Sequence, residues 1–142
     1  MKDLGMIHYF LVLEVWQRAD EIFLSQGKYT VEILGRFGIL DYKSMAIPMV
    51  SNLKKLSESF FDSDLIDPTM YRQLIASLMY FVNTRPNICY AVSVISQFMS
   101  QPRELHWVAV NHVLRYSRGI VGHGLRYNSI IEMILQGYTD SY

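Results

Sequence analysis

The sequence predicts an α+β fold: an N-terminal β-hairpin, a long linker, a three-helix bundle and a C-terminal β-hairpin, together a partial domain. Three observations carry this. The run IHYFLVLEV, Ile7 to Val15, is rich in β-branched and aromatic residues, as strands are. Prolines at 68, 86 and 102 each open a stretch whose apolar residues recur at helical spacing. Short apolar runs then return after Gly124.

Taken in order, Arg18-Ala19-Asp20-Glu21 is a polar turn and Ile22-Phe23-Leu24 a second strand, which closes the first hairpin. Ser25 can cap the following helix, whose buried stripe is Tyr29, Ile33, Leu34 and Phe37. Gly38 ends that helix. From Asp41 to Asp67 no period is sustained, so this is a linker running over the surface.

Asp67-Pro68 pairs an N-cap with a proline at the first helical position. The apolar face of this helix runs from Tyr71 to Val82, and the helix ends near Asn83. The next helix runs from Pro86 to about Met99. The third starts at Pro102, turns Trp107, Val110, Val113, Leu114 and Ser117 inward, and ends near Gly119. Leu78, Tyr80, Ile95, Phe98, Trp107 and Leu114 are the expected core between the three helices. Leu125 to Tyr127 and Met133 to Tyr138 read as a closing hairpin.

With 51% hydrophobic and 18% charged residues, the chain has the material for a core and not the composition of a disordered segment. Basic and acidic residues balance at 13 each, so bulk charge does not point to nucleic acid, though a basic patch remains open. No apolar run is long enough to span a membrane, and no signal-peptide pattern opens the chain, so an intracellular protein is expected. The single cysteine, Cys89, reads as a buried structural thiol in a reducing compartment.

Catalytic patterns are missing: there is no phosphate-binding glycine loop, no C-x-x-C and no H-E-x-x-H. His106 and His112 lie on nearly opposite faces of one helix, so no metal site is expected. Asp62, Asp64 and Asp67 read as a solvated loop with one helix cap. Arg103 to Arg126 holds four arginines and three histidines against Glu104. That segment is either a solvated helix face or a surface that follows a phosphate backbone.

The ordered motifs resemble the Pol polyprotein of plant Ty1/copia-type retrotransposons. MKDLG and HYFLVLEV match the family's MKDLGxxxYFLGIEV, and IFLSQGKY its IFLSQxKY. DPTMYRQLIASLMYFVNTRPNICYAVSVISQFMSQP matches DPxxYRxLxGSLxYLxxTRPDIxYAVxxxSQFMxxP. HWVAVNHVLRYSRG matches HWxAxKRILRYLKG, and LQGYTDSY the start of LxGYSDADWAG.

The resemblance implies a division into four parts. Residues 1–40 would be the end of a reverse transcriptase palm with a primer-grip-like hairpin (Tyr9, Phe10, Leu11 and Val12) and the first thumb helix. Residues 41–67 would be a linker, 68–119 a thumb- or connection-like helical bundle, and 120–142 a truncated start of ribonuclease H. Asp140 falls at the first ribonuclease H carboxylate. The family's polymerase uses Mg2+ on paired aspartates upstream of its MKDLG, so this chain is expected to bind no cofactor and to lack catalysis alone.

The implied partner is an RNA/DNA primer–template, bound weakly, with Arg103, Arg115, Arg118 and Arg126 as phosphate contacts. The sequence departs from the family pattern at several positions. Val12 stands for a glycine, Asn111-His112 for a Lys-Arg pair, Ser117 for a leucine and Tyr142 for a second aspartate. A decayed or truncated element copy is expected. The alternative is a small soluble nucleic-acid or protein interaction module without catalysis.

Overall fold

A computed structural model describes residues 8–49, 56 and 64–128. Met133 to Tyr138, Asp140 and Asp62 lie outside them. Strands β1 (Tyr9–Phe10), β2 (Leu13–Gln17) and β3 (Glu21–Ser25) lead into helix α1 (Gly27–Arg36). Helices α2 (Pro68–Phe81), α3 (Cys89–Ser96) and α4 (Glu104–Gly119) follow, and strand β4 (Gly124–Asn128) comes last. The strands form one antiparallel sheet in the order β1-β2-β3-β4.

β4 adds to the N-terminal hairpin, with Ser25 opposite Gly124 and Phe23 opposite Arg126. The two chain regions expected to carry separate hairpins thus share a sheet. Gly124 makes the close pairing possible, because a Cβ there would lie 2.1 Å from the Leu24 carbonyl oxygen.

The run from Ile7 to Val15 is not one strand. It folds back at Leu11-Val12, so that Phe10 pairs with Leu13 and Tyr9 with Glu14. Both turn residues have positive φ, 47° at Leu11 and 60° at Val12. A two-residue hairpin turn of this hand suits the sheet twist but asks for residues such as Asn-Gly. Here a β-branched valine holds a left-handed backbone, which is strained.

Helix α1 ends as expected. Gly38 adopts φ 68°, its N–H donates to Gly35 O, and Ile39 N–H reaches back to Leu34 O at 2.8 Å. Its start differs: Ser25 is the last residue of β3, and its hydroxyl donates to His123 O. The N-cap is Gln26, which makes no side-chain cap bond. The buried Glu14 carboxylate, arriving from β2, accepts from Lys28 N–H at 3.1 Å instead. An anion at the positive end of a helix is favourable, and here it comes from another element.

Helix α2 opens as read: Asp67 accepts from Thr69 N–H at 2.9 Å, and Pro68 is the first helical residue. Two short 3-10 turns, Val82–Thr84 and Pro86–Ile88, join it to α3, so the α-helix begins later than Pro86. Cys89, at the start of α3, is exposed, not buried. Three positions later its neighbour Val92 faces the core; the helical phase, not the local hydropathy, decides which side of the run is covered.

The core is helical. Ile33 and Leu34 of α1, Tyr71, Leu74, Ile75, Leu78 and Phe81 of α2, Ala91, Val92 and Ile95 of α3, and Val110, Val113 and Leu114 of α4 form one buried cluster. Leu78, Ile95 and Leu114 are buried as expected, whereas Tyr80, Phe98 and Trp107 are half-buried. No strand side chain belongs to this cluster.

Two outcomes test this packing. Leu78→Ala should cost roughly 2–5 kcal/mol in chemical denaturation, as large-to-small changes in a closed core do; an unchanged midpoint would show that α2 is turned the wrong way. Val12→Gly should raise stability by about 1 kcal/mol by relieving the left-handed valine, and a lower melting temperature would contradict the turn.

Candidate nucleic-acid interface

The four arginines named from the sequence stand at different places. Arg103 precedes α4 and is half-buried. Arg115 and Arg118 lie in the last half of α4, where each Nε donates to a loop carbonyl: Lys43 O at 2.8 Å and Leu40 O at 2.7 Å. His112 Nε2 lies 3.0 Å from Ile47 O one turn earlier. These side chains, spaced along one helix face, hold residues 40–47 against α4. The first part of the predicted linker is therefore fastened to the helix.

The guanidinium ends of Arg115 and Arg118 keep N–H groups beyond those bonds, but each side chain is already oriented by the loop. Arg126 lies on β4, with Nε 3.6 Å from Glu21. The structure thus brings Arg115 and Arg118 together and sets Arg126 apart on the sheet.

The predicted grip residues form the β1–β2 hairpin tip. Tyr9, Phe10 and Leu11 are all more than half exposed, with Leu11 at 65%. The tip is anchored by Tyr80 of α2, whose hydroxyl donates to Leu11 O. Lys28 sets its ammonium 5.8 Å from the centre of the Tyr9 ring.

Among the buried polar groups that sequence reading missed are Arg85 and His106. Arg85 is 1% exposed and sits 4.1 Å over the Phe81 ring. Its Nη1 donates to Thr84 Oγ1, and its Nη2 to Val121 O at 2.9 Å and to Ile120 O at 3.3 Å. Burial lowers its pKa to about 10, so it stays charged at neutral pH. The signal was present in the sequence: an arginine in an apolar run, next to a proline, with no acidic residue nearby.

The second group is His106, fully buried and stacked on Phe98 with ring centroids 3.9 Å apart. Its Nδ1 accepts from Arg103 N–H at 3.0 Å, and its Nε2 stands 3.0 Å from Leu56 O. These partners select the neutral ring with the proton on Nε2, the reciprocal half of a capping box at the start of α4.

Among the described residues no group of three His, Cys, Asp or Glu side chains could hold a metal. No described helix is long and apolar enough to cross a membrane.

Burial holds the His106 pKa below the ordinary 6.5, so folding favours the neutral imidazole. Stability should be full above that ordinary value and fall as pH drops through the lower folded value. His106→Gln should flatten this part of the pH–stability curve, and an unchanged curve would remove His106 as its source.

Known proteins similar to this chain place it in a family. An uncharacterised mitochondrial protein of Arabidopsis thaliana is 37% identical over 99% of this chain and 58% of its own length. The retrovirus-related Pol polyprotein from transposon RE2 of Arabidopsis thaliana is 38% identical over 99% of the chain but 10% of its own length. The Ty5-1 transposon protein of Saccharomyces cerevisiae, named there as putative, is 34% identical over 99% of the chain and 46% of its own length. The chain thus spans a tenth to somewhat over half of these curated relatives. No family model and no solved structure matches it. Nearly every residue aligns in one order with a segment of such polyproteins, and the chain belongs with the Pol polyproteins of Ty1/copia-type retrotransposons.

Proposed function

We propose that this chain is a primer–template-holding segment of an RNA-directed DNA polymerase and performs neither polymerisation nor ribonuclease H cleavage alone. The observation that carries the proposal is the hairpin tip. Tyr9, Phe10 and Leu11 form an exposed apolar tip, yet its Leu11 carbonyl is tied to Tyr80 of a core helix. A tip both exposed and anchored suits a part that steers a nucleic-acid strand, and its position matches the primer grip implied by the family pattern.

The kinship supports the same reading, since similarity to retrotransposon Pol polyproteins runs through 99% of the chain. In that family the polymerase aspartates precede the matched segment. Two-metal phosphoryl transfer depends on such carboxylates, and holding a duplex does not. In the division that goes with this proposal, α2 to α4 act as thumb scaffold and β4 stands where ribonuclease H would begin.

Val12 has a simpler account than contact with the primer. A positive φ at the second turn position is itself sufficient reason for the family's glycine. The valine strains the hairpin whether or not a primer passes close to it.

With primer–template, magnesium or manganese and nucleotides, the purified chain should extend no primer and cleave no RNA–DNA hybrid. It should bind the hybrid weakly and without sequence preference. Restoring a basic pair, Asn111→Lys with His112→Arg, should tighten binding and steepen its salt dependence by about one unit per new phosphate contact. Unchanged binding at low salt would remove α4 from the interface and favour a protein-interaction role. Metal-dependent extension abolished by a point substitution in this chain would overturn the inactive reading.

A further inference from the structure

One face of the sheet carries a set of side chains that the duplex-holding reading leaves unused. Trp16, Phe23 and Arg126 stand directly opposite one another across β2, β3 and β4. The Trp16 and Phe23 rings are 5.6 Å apart at 43°, and Trp16 is 49% exposed. They line an open cleft of about 380 Å³ with His8, Gln17, Arg18, Glu21 and Arg126.

The charges are uneven. Arg18 lies 3.2 Å and Arg126 3.6 Å from the one carboxylate of Glu21, so two guanidiniums share a single anion. Both arginine side chains are mostly exposed, at 77% and 64%. The cleft therefore offers the half-exposed Trp16 ring beside two arginines that share one carboxylate. Alternation along β2 and the pairing of Tyr9 with Glu14 put Tyr9 on the same face. Lys28 stands over that ring, so aromatic and cationic groups continue towards the hairpin tip.

We propose that this sheet face is a binding site for unpaired nucleic acid, with one base stacked on Trp16 beside Phe23 and its phosphate held by Arg18 and Arg126. The proposal deepens the primer–template reading and rests on it for the class of ligand. The aromatic surface selects an unpaired strand over a duplex. Bases inside a duplex have both faces covered by their neighbours, whereas an unpaired base presents a free π-face to an indole. The cations supply sequence-independent attraction to the backbone. The site would seat a single-stranded extension of the hybrid that the hairpin tip holds.

The test compares a blunt RNA–DNA hybrid with one carrying an unpaired tail of about six nucleotides, a length that one small stacking site can engage. Trp107→Phe leaves Trp16 as the sole tryptophan, since the chain has 2, so its emission reports stacking directly. The tailed hybrid should bind about tenfold tighter than the blunt one and quench Trp16. Trp16→Ala should erase that advantage while leaving blunt-hybrid binding unchanged. Arg126→Gln should lower the salt slope for the tailed hybrid by about one unit.

Equal binding of the two hybrids with unchanged Trp16 emission would overturn the site and leave duplex holding intact. Loss of blunt-hybrid binding, with the tail still quenching Trp16, would overturn duplex holding and keep the site. No binding of either hybrid would overturn both. Should Trp16→Ala unfold the chain, quenching in the Trp107→Phe background decides the matter alone.

Discussion

The buried guanidinium of Arg85 is the constraint on which the rest of the structure depends. A charge without water needs compensating partners, which Arg85 has on Nη1 and Nη2 but not on its buried Nε. Among the described residues no carboxylate pairs with Arg85. Its compensation comes from the Thr84 hydroxyl, the carbonyls of Ile120 and Val121 and the face of Phe81. Those two carbonyls lie just past the end of α4, where helices leave acceptors without intrahelical donors. One side chain from the α2–α3 junction thus closes α4 and fixes where the chain leaves for β4. The Thr-Arg-Pro segment is a structural knot, which explains why so specific a sequence has no chemistry around it.

From Arg85 a polar path runs to the hairpin tip. Thr84 donates to Gln26 Oε1 at 2.8 Å, and Gln26 Nε2 donates to Tyr80 O. The Tyr80 ring then reaches Leu11. Glu14 at the start of α1 and Ser25 at His123 O add two further polar ties. The sheet contributes no side chain to the apolar cluster, so directional bonds, more than apolar burial, set its position. Hydrogen bonds specify geometry where hydrophobic contact leaves latitude, and the strand-steering role proposed for the tip depends on geometry. The strain at Val12 falls at the far end of this path, where one anchored carbonyl resists relaxation of the turn.

Much of the helical part was legible in the sequence, because helix signals are local. Asp67-Pro68 and Gly38 each carry their own backbone reason, and the stripe from Tyr71 to Leu78 needs only the helical period. What escaped depends on partners distant in sequence. Glu14 caps a helix on another element, and Arg115 and Arg118 spend an N–H each on a loop more than seventy residues earlier. The break at Leu11-Val12 was hidden because both residues favour strands and neither favours a turn. Only the glycine expected from the family marked that position. Cys89 was placed inside by hydropathy but is exposed, whereas Phe98 and Trp107 are partly buried, Trp107 against the core and Phe98 on His106. Of the candidate site residues, the hairpin tip was named by resemblance, while the grouping of Trp16, Phe23 and Arg126 required strand register.

The distribution of cations bears on the nucleic-acid contact proposed for this chain. Arg85 is sealed inside, while Arg115, Arg118 and His112 bind loop carbonyls. A helix whose arginines fasten its own loop gives up part of their reach towards a phosphate. On the sheet, Arg18 and Arg126 share one glutamate and remain largely exposed, and Lys28 lies 3.9 Å from a carboxylate already engaged by a backbone N–H. These partners are weak at exposed sites, so a phosphate can compete for the same guanidiniums at little cost. Among the described residues, Arg18, Arg126 and Lys28 stand beside the exposed aromatic rings of the sheet with weak partners, while Arg115 and Arg118 are engaged by loop carbonyls. Charge counted along the sequence pointed to Arg103–Arg126, whereas the described cations weighed by their existing partners support the sheet face proposed above.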